Sequence, residues 1–591
     1  MNLVGTIKEV AARAIEDIFK LPAFADDVLV NQTKPEFEGD YTVVLFSFVK
    51  KFGASPEKLG NEIGTWLLQQ RSDLFTGFNV IKGFLNLTIA DNFFINYLQQ
   101  SRSVKIAVPQ SGMKRKVMVE YASPNTNKPL HLGHLRNIFL GWSVSQILKE
   151  TGSDVMKTCI ANDRGIHICK SMVAWELFAN GVTPESTGVK GDHLVGDYYV
   201  RFGTEHKKQM EPLLKAGQTK EEAERNAPIM QKTQQMLVDW EDGKPEVMEL
   251  WKKMNGWVYK GFDETYNRIG ADFDKMYYES ETYLPGKRFV EMGLEKGVLY
   301  RKEDGSVWID LTDEGLDEKL LLRKDGTSVY ITQDLGLAQQ KYEDYPYDQS
   351  IYVIADEQNY HMKVLKLILK KMDMPYADGI FHLSYGLVEL PSGRMKTREG
   401  TVVDADDILN EMVTISAQHT QELGKVKDFT EEELKNLYDI IGLGALKFYI
   451  LRVDPKKRMV FNPEESIDFH GFTGPFIQYT HARIKSILRR EQATEAQLTT
   501  GNLLKLEKNL LLLLEQYPTI VKEAANEYNP SVIAVYIYNI AKTYNSFYTE
   551  HSVLNAETEE KKNLRLKLCD LTATVIANGM SLLGIRVPER M

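Results

Sequence analysis

SPNTNKPLHLGHLRN, residues 123–137, is the stretch on which the reading of the fold turns. Before it stands KVMVEYASP (116–124), a short apolar strand that ends in turn residues. After it the pattern continues to Gly152, with Leu135, Ile138, Phe139 and Trp142 at helical spacing. DVMKTCIAND (154–163) then reads as a second strand. Strand, long helix and strand within about 45 residues form the βαβ unit of a parallel, nucleotide-binding sheet. The quoted stretch sits where the first strand turns into its helix, the place where such sheets hold phosphates on backbone N–H groups. Gly133 lets a ligand approach the backbone closely, while His131 and His134, three apart, can project from one side of the first helical turn. A bare HxGH triplet is often only a capped turn, so the long surrounding stretch carries the argument.

Working outward, residues 1–108 read as a small α+β unit: an amphipathic helix, a helix near Pro56–Gln70 and the strand-like GFNVIKGFLNLTI (77–89). The Pro-Gln-Ser-Gly segment at 109–112 punctuates the chain and opens a Rossmann-like α/β domain over 109–406. A charge-rich, weakly patterned stretch at about 185–260 reads as a helical insertion in that domain. Strand signals return around SVYITQDLG (328–336), SIYVIADEQ (350–358) and YGLVEL (385–390), with the helix HMKVLKLILKKMDM (361–374) between the last two. From 407 onward strands disappear. A helical linker over 407–470 and an all-α domain over 471–591 are expected, from patterns such as EELKNLYDIIGLGALKFYILR (432–452) and NLLLLLEQYPTIVKEAANEY (509–528).

A chain of 591 residues is too long for one ordinary core, in line with several domains. With 43% hydrophobic and 26% charged residues it has the composition of a globular protein. No run approaches the roughly 18 apolar residues of a membrane span, and the start lacks a signal-peptide block, so a cytoplasmic protein is expected. Cys159, Cys169 and Cys569 include no CxxC pair, which argues against a disulfide framework or a zinc site. The net charge of -10 excludes indiscriminate coating of nucleic acid and requires any RNA ligand to meet placed lysines and arginines.

SPNTNKPLHLGHLRN closely resembles the HIGH-signature segment of class I aminoacyl-tRNA synthetases in its arginyl form, which carries a lysine three residues before the first histidine, here Lys128. The resemblance implies amino-acid activation, in which the substrate carboxylate attacks the α-phosphorus of ATP and pyrophosphate leaves. It needs no protein nucleophile. It needs positive charge and donors where negative charge accumulates, a role suited to Lys128, His131 and His134 with Mg²⁺ on the phosphate oxygens. PSGRMKTREG (391–400) resembles the second class I signature, the KMSKS loop, with Arg394 at the first lysine and Thr397 at the second. Many arginyl enzymes share this gap, which makes Lys128 and Arg398 joint candidates beside Lys396. His131, Gly133, His134, His361, Met395 and Lys396 are the expected ATP contacts.

A substrate guanidinium keeps its charge and presents a planar fork of donors, so its pocket needs placed acids and acceptors. Tyr330 and Asp334, four apart, resemble the YxTxD element of arginyl enzymes. Glu279 in YYESETY stands at the family's second pocket acid, with Gln358 and His361 of DEQNYH at the pocket's edge. Ser123, Asn125, Asn162 and Asp163 complete the expected arginine pocket, although Asn-Asp is also a plain turn signal.

GFTGPFIQYTHARIKSILRR (471–490) becomes a helix that interleaves Tyr479 with His481, Arg483, Lys485, Arg489 and Arg490, a mixture suited to stacked bases and phosphates. With GALKFYILR and the terminal LLGIRVPERM, it looks like the anticodon-binding domain of arginyl and related synthetases. That likeness places Tyr479, Arg483, Arg490 and Met591 near the anticodon of tRNA(Arg), and the N-terminal unit at the outer corner of the tRNA. Most members of that family act as monomers, and the resemblance implies a monomer here. A cysteine enzyme would need zinc ligands absent here, a small nucleotidyltransferase would not need so long a helical C-terminal region, and a noncatalytic relative would have lost part of HLGH.

Overall fold

The structure is a computed structural model that describes residues 3–20, 22–100, 114–391, 403–422, 428–494, 496, 498 and 502–591. Near the N-terminus, four antiparallel strands β1 (Leu29–Gln32), β2 (Tyr41–Val44), β3 (Phe75–Ile81) and β4 (Phe84–Ile89) lie in the order β1-β2-β4-β3. The stretch 77–89, one strand-like run in sequence, is therefore most of a hairpin. Lys82 and Gly83 both take positive φ, 48° and 86°, the two-residue turn that matches the twist of paired strands. The helix Pro56–Gln70 presses close to this hairpin because Gly64 faces it: a Cβ there would stand 2.5 Å from the Phe78 ring.

The centre of the molecule is a five-stranded parallel sheet made of β5 (Lys116–Glu120), β6 (Asp154–Ala161), β7 (Lys275–Tyr278), β11 (Gln349–Ala355) and β12 (Ile380–Tyr385), in the order β12-β11-β5-β6-β7. Val117, Met118 and Val119 of β5 are all fully buried, as a central strand covered on both faces requires. From β5 the chain builds outward to β6 and β7 and later returns on the other side as β11. The strand order thus reverses beside β5, where open α/β sheets leave a crevice for ligands at their carboxyl ends. Helix α1 (Leu132–Glu150) makes the crossover from β5 to β6. Between β6 and β7 the chain is helical and includes α2 (Gly191–Lys215) and α3 (Pro245–Ile269).

A small antiparallel sheet of β8 (Leu299–Arg301), β9 (Val307–Ile309) and β10 (Lys319–Leu322) follows, without a counterpart in the sequence reading. SVYITQDLG is also not a strand: Tyr330 opens helix α4 (Tyr330–Asp344). Its β-branched residues favour a strand locally, but Ile331, Leu335 and Ala338 are buried at helical spacing and decide the outcome.

The C-terminal third is built from helices, among them α5 (Glu431–Leu451), α6 (Gly474–Arg490), α7 (Pro530–Glu550) and α8 (Glu559–Leu582). An exception to the expected loss of strands is β14 (Met459–Val460), which pairs in parallel with β13 (Val388–Glu389). Side chains of α1 join this region to the sheet. The buried Arg136 donates to the carbonyls of Leu387, Pro455 and Lys457 at 3.2, 3.3 and 2.7 Å, and Ser143 donates to that of Leu582 at 2.8 Å. The N-terminal unit also docks on C-terminal helices: the Leu3 N–H donates to Glu515 at 2.7 Å, and Lys508 lies 2.9 Å from Asp40. No helix among the described residues is long and apolar enough to cross a membrane, and all three cysteines are buried and free.

Replacing Arg136 with Met leaves these three carbonyls, the Pro455 one buried, without their charged donor. We expect a loss of about 3 kcal/mol, seen as a fall in the urea midpoint without a change in secondary structure by circular dichroism.

Candidate active site

Just past β5 stand two residues with left-handed backbone, Ala122 (φ 75°) and Ser123 (φ 45°), neither of them glycine. Such a conformation persists only where the surroundings enforce it. Asn137 of α1 does so: its Oδ1 accepts the Ala122 N–H at 2.6 Å, while its Nδ2 donates to the Val353 carbonyl at 2.7 Å. The chain then runs beside the end of β6. Asn162 N–H donates to the Pro124 carbonyl at 2.9 Å and Thr126 N–H to that of Asn162 at 3.1 Å.

At the start of α1 the helix leaves backbone N–H groups without partners inside the helix. His131 is the N-cap, and its Nδ1 accepts the Gly133 N–H at 3.1 Å; Nδ1 of His134 accepts the His131 N–H at 3.1 Å. A backbone N–H can only donate, so both Nδ1 atoms are bare and each neutral ring carries its proton on Nε2. Burial, reinforced by Lys128, lowers His131 to about 3 and holds His134 well below its ordinary value. Burial also lowers the Lys128 ammonium. Two neutral donors and one lysine therefore stand at a helix N-terminus, an arrangement that favours phosphate oxygens.

On the β6–β7 side of this turn, one pocket brings together Asn125, Asn162, Glu279, Tyr330 and Asp334. Glu279 opens the helix after β7, while Tyr330 and Asp334 lie one turn apart on α4. Burial, with Asp163 and Asp334 nearby, raises Glu279 to about 7 against the opposing effect of Arg164. Ser123 stands just behind, its carbonyl accepting from Asn162 Nδ2 at 3.4 Å. Gln358 is exposed and does not line the pocket. His361, expected at ATP, lies with Nε2 2.6 Å from Asp334 Oδ2, and this carboxylate raises its pKa.

Asp163 departs from expectation. It is buried and turned away from the pocket, accepting from Ser280 N–H and Oγ at 2.9 and 2.8 Å and from Tyr259 at 2.9 Å. With three hydrogen bonds accepted from the insertion and the β7 turn, it ties those elements together. The sequence reading also missed Arg164, Gln333 and Thr282 in the pocket wall; Arg164 directly follows the Asn-Asp pair and Gln333 precedes Asp334. Met395, Lys396 and Arg398, like Arg394 and Thr397, lie outside the described residues.

A separate cavity at the C-terminal helices is lined by Tyr479, Arg483, Arg490 and Met591 together, and also by Tyr548 and Arg590. The Arg483 guanidinium sits 4.9 Å from the Tyr479 ring and 5.2 Å from that of Tyr548. His481, grouped with the basic face in sequence, instead points inward: it is 3% exposed, with Nδ1 3.0 Å from the Pro588 carbonyl. It helps fix the C-terminus, as does Arg489, which donates to the Glu589 carbonyl at 2.7 Å.

Known proteins sharpen this picture. The family profile described as tRNA synthetases class I (R), catalytic domain, matches residues 96–462. Those of the arginyl tRNA synthetase N terminal domain and the DALR anticodon binding domain match residues 5–89 and 477–591. The arginine–tRNA ligase of Parabacteroides distasonis is 52% identical over 586 residues, 98% of each chain. That of Bacteroides thetaiotaomicron is 53% identical over 571 residues, 95% of this chain and 96% of the other. The solved arginyl-tRNA synthetase of Thermus thermophilus shares the fold over the whole of both chains, with a TM-score of 0.81 at 24% identity. With its catalytic, N-terminal and anticodon-binding domains all matched, the chain belongs to the arginyl-tRNA synthetases of class I.

Proposed function

We propose that this chain activates L-arginine with ATP and transfers it to tRNA(Arg), releasing pyrophosphate and then AMP. The observation that carries the reading is the acid-lined pocket of Glu279 and Asp334 beside the HLGH turn, because a guanidinium requires placed carboxylates. In the first step an oxygen of the arginine carboxylate attacks the α-phosphorus, and the bond to the bridging oxygen breaks to free pyrophosphate. In the second a hydroxyl of the terminal ribose of the tRNA attacks the carbonyl carbon and displaces AMP.

Lys128 and the Nε2–H donors of His131 and His134 stabilise charge on the phosphates. ATP arrives with Mg²⁺ as part of the substrate. Gly133, His361 and the loop residues Met395, Lys396 and Arg398 complete the proposed ATP contacts. Asp334, Glu279 and Tyr330 receive the guanidinium, with Ser123, Asn125 and Asn162 around the rest of the amino acid and Gln358 at the outer edge. The cavity of Tyr479, Arg483, Arg490 and Met591 receives anticodon bases, since rings and guanidinium groups suit unpaired bases. We divide the chain at 108, 406 and 470, with the unit 1–108 against the outer corner of the tRNA. We place it in the cytoplasm as a monomer.

Incubated with ATP, Mg²⁺, total tRNA and labelled amino acids one at a time, the protein should charge arginine alone. Charging of a different amino acid, or of none, ends this reading. Lys128→Ala should slow arginine-dependent pyrophosphate exchange, measured with tRNA present, by about 100-fold. An unchanged rate would move the role to Lys396 or Arg398.

Glu279 supplies a pH test. Its carboxyl, raised to about 7 in the free pocket, must ionise to pair with a guanidinium, so arginine binding releases a proton. The KM for arginine should therefore rise as the pH falls below 7, by up to about tenfold per unit, and Glu279→Gln should flatten that rise at a higher KM.

A further inference from the structure

The helical insertion meets the HLGH turn at the start of α2. Residues 403–405 pair with 130–132: Leu132 N–H donates to the Val403 carbonyl at 3.3 Å, and Ala405 N–H to that of Leu130 at 2.9 Å. This pairing sets Asp404 beside His131. Asp404 also shares a cavity wall with Lys128, His131, His193 and Tyr199. A carboxylate on this wall favours a charged His131 and faces the same cavity as the Lys128 ammonium.

Two residues of the insertion meet these acids. His193 Nε2 lies 3.2 Å from Asp404 Oδ2 and 3.3 Å from Asp406 Oδ2. Lys190 Nζ donates to Asp406 and to Thr265 of α3, both at 2.6 Å, and lies 3.3 Å from Asp192. The carboxylates of Asp404 and Asp406 beside it raise His193 to about 10 and favour its charged form. Asp192, His193 and Asp406 have the spacing of a cation site, and Lys190 brings its ammonium to both of the carboxylates. The helix cannot retreat from this corner without losing its seat: Gly196 packs so closely on Pro129 that a Cβ would stand 2.7 Å from the ring.

We propose that His193, backed by Lys190, is a positioning residue for adenylate formation: it engages Asp404 and Asp406, leaving Lys128 and His131 to face ATP rather than a carboxylate. This rests on the proposed role of Lys128 and gives the insertion a part in the chemistry.

The test is pyrophosphate exchange with tRNA present. His193→Ala should cut the turnover about tenfold, as displacement of a charged group from its working position does, with the KM for arginine unchanged. Adding Asp404→Asn should restore most of the rate, because Asn keeps the Oδ1 that accepts the Asp406 and Asp407 N–H groups at 2.7 and 3.4 Å while removing the charge. His193→Lys, which keeps a cation there, should stay near the parent rate. A double variant no faster than His193→Ala, or a change in arginine KM equal to that in turnover, overturns the proposal. So does a His193→Ala enzyme of parent rate. Lys128→Ala runs beside these variants: if it alone is silent, the role of Lys128 falls instead, and if it is slow while His193→Ala is not, this inference falls alone.

Discussion

Everything at the centre of this enzyme follows from how one helix begins. The first turn of α1 has N–H groups that its own carbonyls cannot reach, and the side chains that satisfy them are the two histidines of HLGH. Each settles a backbone N–H with Nδ1 and is thereby committed to a single tautomer, with its remaining proton on the far nitrogen. In the proposed function, capping and chemistry are the same act. Farther along the helix, Arg136 turns to the C-terminal third, Asn137 to the carboxyl ends of β5 and β11, and Ser143 to α8. A single crossover helix therefore fixes the distance between the sheet, the reacting groups and the helices beyond them.

The parts that local pattern determines were legible in the sequence. The βαβ unit shows as a change of apolar period, and HLGH marks the helix start because a cap and a close backbone approach need those residue types together. The pocket acids came from a family likeness, and the structure brings Glu279, Tyr330 and Asp334 to one wall although about fifty residues separate the first two. Other features depended on partners far along the chain. Asp163 reads as a turn residue until Tyr259 and Ser280 are seen to claim it. His481 sits among arginines in sequence, yet helical phase carries it inward while Arg483 goes outward. Tyr330 begins a helix because its neighbours are buried at helical spacing, which a list of strand formers cannot reveal.

The same types of residue are put to opposite uses at the two ends of the molecule. Near the sheet, in the proposed function, carboxylates form the receiving surface and a guanidinium is cargo. In the C-terminal cavity the guanidinium of Arg483 belongs to the wall, held by Asn545 and flanked by Tyr479 and Tyr548. A chain of net charge -10 thus gathers cations where rings and the chain terminus fix them, and in the proposed function geometry there compensates for the scarcity of positive charge.

The dock between the first and last parts of the chain bears on synthesis. Leu3 waits for Glu515, 512 residues later, as Lys508 comes late to Asp40. At translation rates of about 5–20 residues per second, the N-terminal unit exists for roughly 20–80 s before the helices it rests on are made. It must hold its own shape in the interval. The hairpin closed by Lys82 and Gly83, with a glycine-faced helix laid against it, gives it a core built from near neighbours, so only the seam is left for the end of the chain.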